Sequence, residues 1–227
     1  MLPGMSLEFY AIILTGLCSG GFVFAQWYFA EAKRVKRALA AAPITAVATL
    51  LEGDTVRVVG TLLPGPSTLT APLSGRPCAA YLLRVREQMG KSWKEIIRES
   101  DAVEFAVDDG SGTVLVRPGN FKLGLEDDHN ERTGFWSDPS ERVKEYLLAR
   151  GESAEGSLGL KRVLQFNEAV LEEGERVAVW ATVMIETDPA TTGAGEGYRD
   201  RPKRERKVLI GPADGAMLLS DAPKVTT

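Results

Sequence analysis

The amino-acid sequence predicts a single N-terminal transmembrane helix followed by a mainly β soluble domain, a β-rich α+β unit built as an OB-like barrel with an inserted helix. Three observations lead to this fold class. A charge-free apolar run lies near the start, stretches of alternating apolar and polar residues follow between glycine-bearing turns, and one later segment carries helix-capping signals. The chain has 227 residues, enough for one domain with a hydrophobic core behind such an anchor.

The apolar run covers residues 9–30 and contains no charged side chain. At about 1.5 Å rise per residue, such a helix spans the roughly 30 Å hydrocarbon core of a bilayer, and aromatic residues lie at both of its ends. A cleaved signal peptide would need basic residues before the run, where the chain carries Glu8. A lipoprotein signal would need small residues before Cys18, where Leu17 stands, and a buried core helix rarely has such a long uncharged run. We therefore expect residues 1–31 to form a retained membrane anchor.

Basic residues directly after the run predict the orientation of this anchor. They are Lys33, Arg34, Lys36 and Arg37. Because basic residues beside a membrane helix stay on the cytoplasmic side, we expect a single-pass protein of the cell membrane whose soluble domain lies at the inner face. The same side chains can face anionic lipid headgroups. High helix propensity up to Pro43 predicts that residues 32–43 form a basic juxtamembrane helix.

Gly16 and Gly20 give the apolar run a GxxxG spacing. Without Cβ atoms at these positions two helices can approach closely, which indicates a homodimer through this face. The alternative is that these glycines reflect only the frequent use of glycine in membrane helices.

Residues 44–220 carry the strand signals of the β domain, and residues 221–227 form a tail. The pattern Glu-Gly-x-x-Val-x-Val occurs at residues 52–58 and again at 173–179, which indicates an internal duplication or two similar barrel strands. The other predicted strands are residues 79–87, 102–108, 113–117, 163–170, 208–210 and 216–219. A turn from Asp109 to Gly112 joins two of them as a hairpin.

One helix is predicted after the hairpin. Asp138 serves as its N-cap, Pro139 as its first residue, Glu141 completes a capping box and Gly151 ends it. Residues 120–134, with their acidic stretch, and residues 188–207 are predicted to be loops, and residues 44–51 a mildly apolar connector.

The composition argues against several kinds of chemistry. The formal net charge of −4 argues against general nucleic-acid binding. The acidic run at residues 126–131 has no metal-site spacing, and the single histidine, His129, lies in a charged segment. No glycine loop opens a helix as a phosphate site requires. We therefore expect no metal and no cofactor.

The candidate binding loop runs from Pro72 to Cys78. Its motif residues are Pro72, Gly75, Arg76, Pro77 and Cys78, with Asp109 and Gly112 in the second motif turn. Two interpretations stay open. The loop is either a structural turn with a buried cysteine, or a reactive site with Cys78 as nucleophile, for which Arg76 is the visible positive neighbour that could lower the pKa of the thiol.

Residues 51–62, 71–87, 105–118 and 164–183 together resemble the GIDE domain, also called the BAM (beside-a-membrane) domain, over residues 44–220. The best-known members of that family are membrane-bound ubiquitin ligases that end in a RING. A RING needs about eight Cys and His zinc ligands, whereas this chain has neither residue after Val183. The resemblance therefore implies a RING-less relative of the prokaryotic type, with no defined activity.

These observations together favour a non-catalytic, membrane-tethered interaction or scaffold module whose partners are the lipid bilayer and an unidentified protein. The alternatives are an enzyme that uses Cys78 and, by family analogy, a ubiquitin-ligase-type transferase.

Overall fold

A computed structural model of the chain describes residues 31–133, 139–155, 161–187 and 205–227. The predicted membrane span, with Gly16 and Gly20, lies outside these ranges, so the span and the dimer remain predictions. Within the described ranges, no helix is both long and apolar enough to cross a membrane.

The described part of the chain is mainly β. Helix α1 occupies residues 31–41, and the other helices are a 3-10 turn at Val47–Thr49, α2 at Glu141–Leu148 and α3 at Pro223–Thr226. The strands are β1 Thr55–Leu63, β2 Leu69–Thr70, β3 Pro77–Cys78, β4 Ala80–Met89, β5 Ser92–Ala102, β6 Phe105–Asp108, β7 Thr113–Val116, β8 Phe121–Leu123, β9 His129–Arg132, β10 Leu164–Leu171, β11 Arg176–Thr187, β12 Glu205–Ile210 and β13 Met217–Ser220. All the predicted strands are present, with shifted ends, and the predicted β6–β7 hairpin is confirmed.

Five strands close into a barrel in the order β1-β6-β7-β12-β11, with β11 paired back to β1. Closure is possible because β11 is twelve residues long, so that one edge pairs with β1 and the other pairs in turn with β13 and β12. Strands β7 and β12 are parallel, and the other barrel neighbours are antiparallel. This closed barrel is consistent with the OB-like architecture that the sequence predicts.

The two Glu-Gly-x-x-Val-x-Val strings form neighbouring barrel strands, β1 and β11. They pair antiparallel, so that Val58 lies opposite Val179. Each string's turn glycine, Gly53 and Gly174, has a φ of 86° and donates a backbone hydrogen bond of 2.9 Å to the far end of the other strand. The repeat therefore builds a pair of strands with local two-fold symmetry.

The barrel core consists of the inward-facing residues of these strands, among them Val58, Phe105 and Val179, which are fully buried. Val47 and Leu50 belong to the same core. Residues 44–51, predicted as a connector, therefore supply part of the barrel core.

A second sheet, in the order β5-β4-β10-β9, is assembled from two insertions into the barrel. Strands β2 to β5 come between β1 and β6, and strands β8 to β10 with α2 come between β7 and β11. Leu83 and Phe166 pack with α2 on one face of the sheet, whereas Leu82 and Ala169 on the other face join the barrel core. The sequence patterns did not predict strand β5.

Three further sequence expectations are corrected. Helix α2 begins at Glu141 with Ser140 as its N-cap; Asp138 itself lies outside the described residues. The predicted loop at residues 120–134 contains β8 and β9, because its backbone pairs with β13 and β10. Residues 221–227, predicted as a tail, contain α3, in which Val225 is 1 % exposed and packs with α1.

Candidate functional site

The motif loop at residues 71–78 is a tight turn between two short paired strands, β2 and β3. The backbone N–H of Ala71 donates to Arg76 at 2.9 Å, and that of Gly75 donates to Ala71 at 3.0 Å. Gly75 has a φ of 71°, which side chains with a Cβ rarely adopt, so the motif requires glycine there. The prolines at Pro72 and Pro77 restrict the backbone on either side of this turn.

A buried carboxylate holds this loop in place. Glu168 on β10 is fully buried, and its two oxygens accept hydrogen bonds from the backbone N–H groups of Leu73 at 2.7 Å and Ser74 at 2.9 Å. Sequence reasoning missed this residue. The available signal was an acidic residue in the middle of an otherwise apolar buried strand, because such a charge requires hydrogen-bonding partners.

The charged side chains around the loop are also paired. Arg76 lies 3.3 Å from Glu172 and 3.8 Å from Asp128. Arg142 on α2 donates to the carbonyl of Pro72 at 3.1 Å. These contacts hold the loop against Glu172, which directly follows β10, and against α2, so both arginines have a structural role.

Cys78 is 2 % exposed and packs in the core between the second sheet and α2. Burial raises the pKa of its thiol to about 11, and the nearby Glu168 and Glu172 raise it further, against the opposing effect of Arg76. The thiol is therefore protonated at neutral pH, which disfavours the nucleophile interpretation, since the thiolate is the reactive form.

The second motif turn lies at the barrel end beside Val47. The carboxylate of Asp109 accepts from the backbone N–H of Val47 and Ser111, each at 2.8 Å, and from Gly112 at 3.2 Å. Burial opposes the charged form, but these hydrogen bonds outweigh it and hold the pKa of Asp109 below its ordinary value. Asp109 therefore attaches the segment after α1 to the β6–β7 hairpin, apart from the motif loop in the other core.

Carboxylates of the acidic run form structural ion pairs. Glu126 pairs with Lys36 of α1, and Asp127 pairs with the buried Arg84. Asp128 accepts from the backbone N–H of Val170 at 2.8 Å. Among the residues that the structure describes, no three His, Cys, Asp or Glu side chains are grouped so as to hold a metal ion.

The predicted basic juxtamembrane helix is packed against the outside of the barrel. Val35 and Leu39 of α1 are 2 % and 0 % exposed and contact Val59, Ala178 and Val225. They lie four residues apart, on one face of the helix.

The four basic residues of α1 divide into two groups. Lys33, Arg34 and Arg37 are exposed, whereas Lys36 is half-buried and paired with Glu126. Three of the four predicted lipid-facing residues thus point into solvent on the face opposite the barrel, and the fourth helps to hold the helix on the domain.

Ion pairs and hydrogen bonds fix both ends of α1. At its start, Glu31 pairs with Arg98 of β5 at 2.8 Å and with Lys122 at 3.9 Å. Just past its other end, the buried Arg57 donates to the carbonyls of Ala42 and of Val225 in α3. The point at which the chain enters the described domain is therefore held against strand β5.

A surface cleft of about 430 Å³ lies between α2 and residues 152–155, where Leu147, Lys144 and Arg162 contribute to its lining. None of the predicted motif residues lines it. Arg162 forms ion pairs with Glu87 at 2.8 Å and with Glu152 at 2.7 Å, so its charge is already balanced.

Comparison with known proteins leaves the family unassigned. No protein-family model, no curated protein and no solved structure matches the chain.

Proposed function

We propose that the chain is a membrane-tethered, non-catalytic interaction or scaffold module of the GIDE or BAM type, which holds its β domain against the cytoplasmic face of the membrane. The observation that carries this proposal is the packing of α1 on the barrel. A domain on a loose linker would leave the segment after the anchor exposed on all sides, whereas Leu39 here is fully buried. Helix α1 and the barrel thus form one unit, which supports a fixed attachment of the domain to the proposed anchor.

The motif loop supports the non-catalytic part of the proposal. Its backbone is held by Glu168, its arginine is paired and its cysteine is buried. In a catalytic loop at least one such group would be available to a substrate.

Alkaline extraction and the accessibility of the C-terminus test the membrane tether. Full-length protein in native membranes is expected to resist alkaline extraction, and its C-terminus is expected to be accessible only from the cytoplasmic side. Replacing Lys33, Arg34 and Arg37 by Glu should invert the membrane orientation of a fraction of the molecules, because basic residues near a membrane helix determine its orientation. Lys224→Glu is the control, since this residue is exposed and far along the chain from the predicted span. Complete extraction at high pH would refute the tether.

Thiol labelling tests the absence of a catalytic cysteine. In a Cys18→Ser background, a maleimide is expected to leave Cys78 unmodified in the folded protein and to modify it after denaturation. Rapid modification of the folded protein, with loss of an associated activity, would favour the enzyme alternative.

Proximity labelling from the C-terminus addresses the partner. Helix α3 packs beside α1, so a labelling enzyme fused after Thr227 lies next to the tether. Labelled proteins that depend on the intact anchor would identify partners of the module. Labelling identical to that of an anchor-less control would count against a membrane-dependent partner.

A further inference from the structure

The β4–β5 hairpin protrudes from the second sheet. Its strands are ten and eleven residues long. The last pair between β4 and β10 is Glu87 and Leu164, and the N–H of Gln88 donates one more backbone hydrogen bond, to Val163 at 2.9 Å. Residues 88–93 extend past that pair. Gly90, with a φ of 63°, takes the first position of the two-residue turn, as a type II′ hairpin requires.

The tip of this hairpin combines apolar and basic side chains. Met89 is 55 % exposed, one of four large apolar residues that are more than half exposed among those described. Lys91 is exposed in the turn, and Trp93 is half-buried beneath Arg132, whose guanidinium lies 5.0 Å from the ring centre. An amphipathic ring beside a lysine and an exposed apolar side chain suits the headgroup region of a bilayer.

Among the residues that the structure describes, no exposed carboxylate offsets these positive charges at the tip. Glu87 is paired with Arg162, and this hydrogen-bonded pairing lowers its pKa. Glu95 is half-buried and lies opposite Arg86. The charge that the tip presents to its surroundings is therefore positive.

Trp93 of the tip lies on the same face of the second sheet as the start of α1, whereas Met89, one residue past Gln88, points to the α2 side at the end of the hairpin. Arg84 and Arg98 are opposite each other in the β4–β5 pairing, and Gln88 is opposite Trp93. Because side chains alternate along a strand, Arg84 and Gln88 both point away from α2, which packs on the Leu83 side. Glu31, the first described residue after the predicted span, pairs with Arg98 on that same face. Six residues separate Arg98 from Ser92, or about 20 Å of strand at ~3.3 Å per residue.

We propose that the tip of the β4–β5 hairpin, with Met89, Lys91 and Trp93, is a second membrane contact that binds an anionic lipid surface. The inference rests on the tether proposed above, which brings this face of the sheet to the bilayer. Two contacts fix the orientation of a domain on a membrane, whereas a single helix leaves it free to rotate. The hairpin thus determines which surfaces of the domain remain open to a protein partner.

Lipid quenching in full-length protein tests this contact. A fluorescent reporter is attached at Met89→Cys in a Cys18→Ser background, and the protein is reconstituted into vesicles with brominated acyl chains. The vesicles contain phosphatidylcholine with or without phosphatidylglycerol. A second reporter at Glu141→Cys, on α2 and outside the hairpin, is the reference. We expect stronger quenching at position 89 than at 141, increased by phosphatidylglycerol and reduced by salt.

Two charge variants sharpen the test. Lys91→Gln is expected to weaken the contact about fivefold, because a basic residue near an anionic surface contributes about 1 kcal/mol. Lys94→Gln removes the same charge from the same hairpin, but Lys94 is opposite Glu87, at the last pair that β10 supports, and should have little effect. Equal effects of the two variants would overturn the proposed contact at the hairpin tip.

The remaining outcomes separate this inference from the proposed function. If position 89 is quenched no more than position 141 while the protein stays in the vesicles after alkaline washing, the hairpin contact is wrong and the tether stands. If alkaline washing removes the protein, the tether fails and the hairpin contact fails with it.

Discussion

Glu168 shows how one buried side chain determines the shape of a motif loop. Its carboxylate is fully buried, yet both oxygens accept backbone hydrogen bonds, from Leu73 and Ser74. If the carboxylate is removed, the buried N–H groups lose their acceptor, and each unsatisfied group lowers the free energy of unfolding by about 1–3 kcal/mol. The conformation of the loop therefore depends on a residue more than ninety positions away along the chain.

Glu168→Gln is expected to lower the free energy of unfolding by about 2–4 kcal/mol, because the amide retains one acceptor oxygen and turns its NH2 toward a backbone donor. Chemical denaturation of the full-length protein in detergent measures the change. Glu141→Gln is the control, since the Glu141 side chain is 83 % exposed. Equal denaturation midpoints for the two variants would contradict the assigned role.

The carboxyl group of Asp221 is expected to make the stability of the folded protein depend on pH. Burial is the main cause that raises its pKa to about 6, from an ordinary value of 3.8. Because the folded state favours the neutral carboxyl, this contribution to stability is full below pH ~4 and is lost as the pH rises through about 6. Thermal unfolding between pH 4 and 7 should therefore show a steeper loss of stability in the native protein than in Asp221→Asn. Parallel curves for the two proteins would exclude this group as the cause.

At the scale of elements, α1 connects the predicted anchor to the domain. An apolar face with Val35 and Leu39 lies on the barrel, and Glu31 and Lys36 form ion pairs beside it. Exposed ion pairs contribute little, about 0–1 kcal/mol each, so the apolar face supplies most of the docking energy. The basic residues Lys33, Arg34 and Arg37 of α1 stay exposed.

Leu39→Ala is expected to destabilise this docking by about 2–3 kcal/mol, because a fully buried leucine leaves a cavity when truncated. Limited proteolysis between Ala42 and Thr45 should become faster as the helix detaches. Ala40→Ser, at an exposed position of the same helix, is the matched variant and should behave as the native protein does. Unchanged proteolysis in Leu39→Ala would show that the helix is held by its ion pairs instead.

At the scale of the molecule, the barrel is the framework and the second sheet is an elaboration of two of its connections. Gly60 on β1 is essential to closure, because a Cβ there would lie 2.4 Å from the carbonyl oxygen of Asp108 on β6. No side chain can be accommodated at that distance without separating the two strands, whose pairing completes the ring.

Gly60→Ala is therefore expected to lower the free energy of unfolding by several kcal/mol, about 2–4, because backbone must move to accommodate the methyl group. Denaturant titration followed by circular dichroism measures the effect. Gly119→Ala makes the same chemical change where nothing lies within 4 Å and is expected to be neutral. If both variants unfold alike, strand closure does not depend on the small residue at position 60.

Much of the fold could be predicted from local patterns. Alternation predicted β1, β6, β7, β10 and β11, and the Asp109–Gly112 turn predicted the hairpin. Strand β5 was missed because its polar and charged residues, such as Lys94 and Glu95, hide the weak alternation around Trp93. The cap of α2 was placed two residues early, since Asp138 and Ser140 are both suitable capping residues and only the contacts of the helix choose between them.

The sequence alone determined the uncharged run, the strand segments and the motif residues, because these depend on the order of neighbouring side chains. Only the tertiary structure decided the roles of those residues. In the folded protein Cys78 is buried, Arg76 forms an ion pair with Glu172, and the carboxylate of Glu168 accepts hydrogen bonds from the loop. Helix α1 packs on the barrel. Burial and pairing arise from residues far apart in the chain, and neither periodicity nor spacing can specify which of them meet.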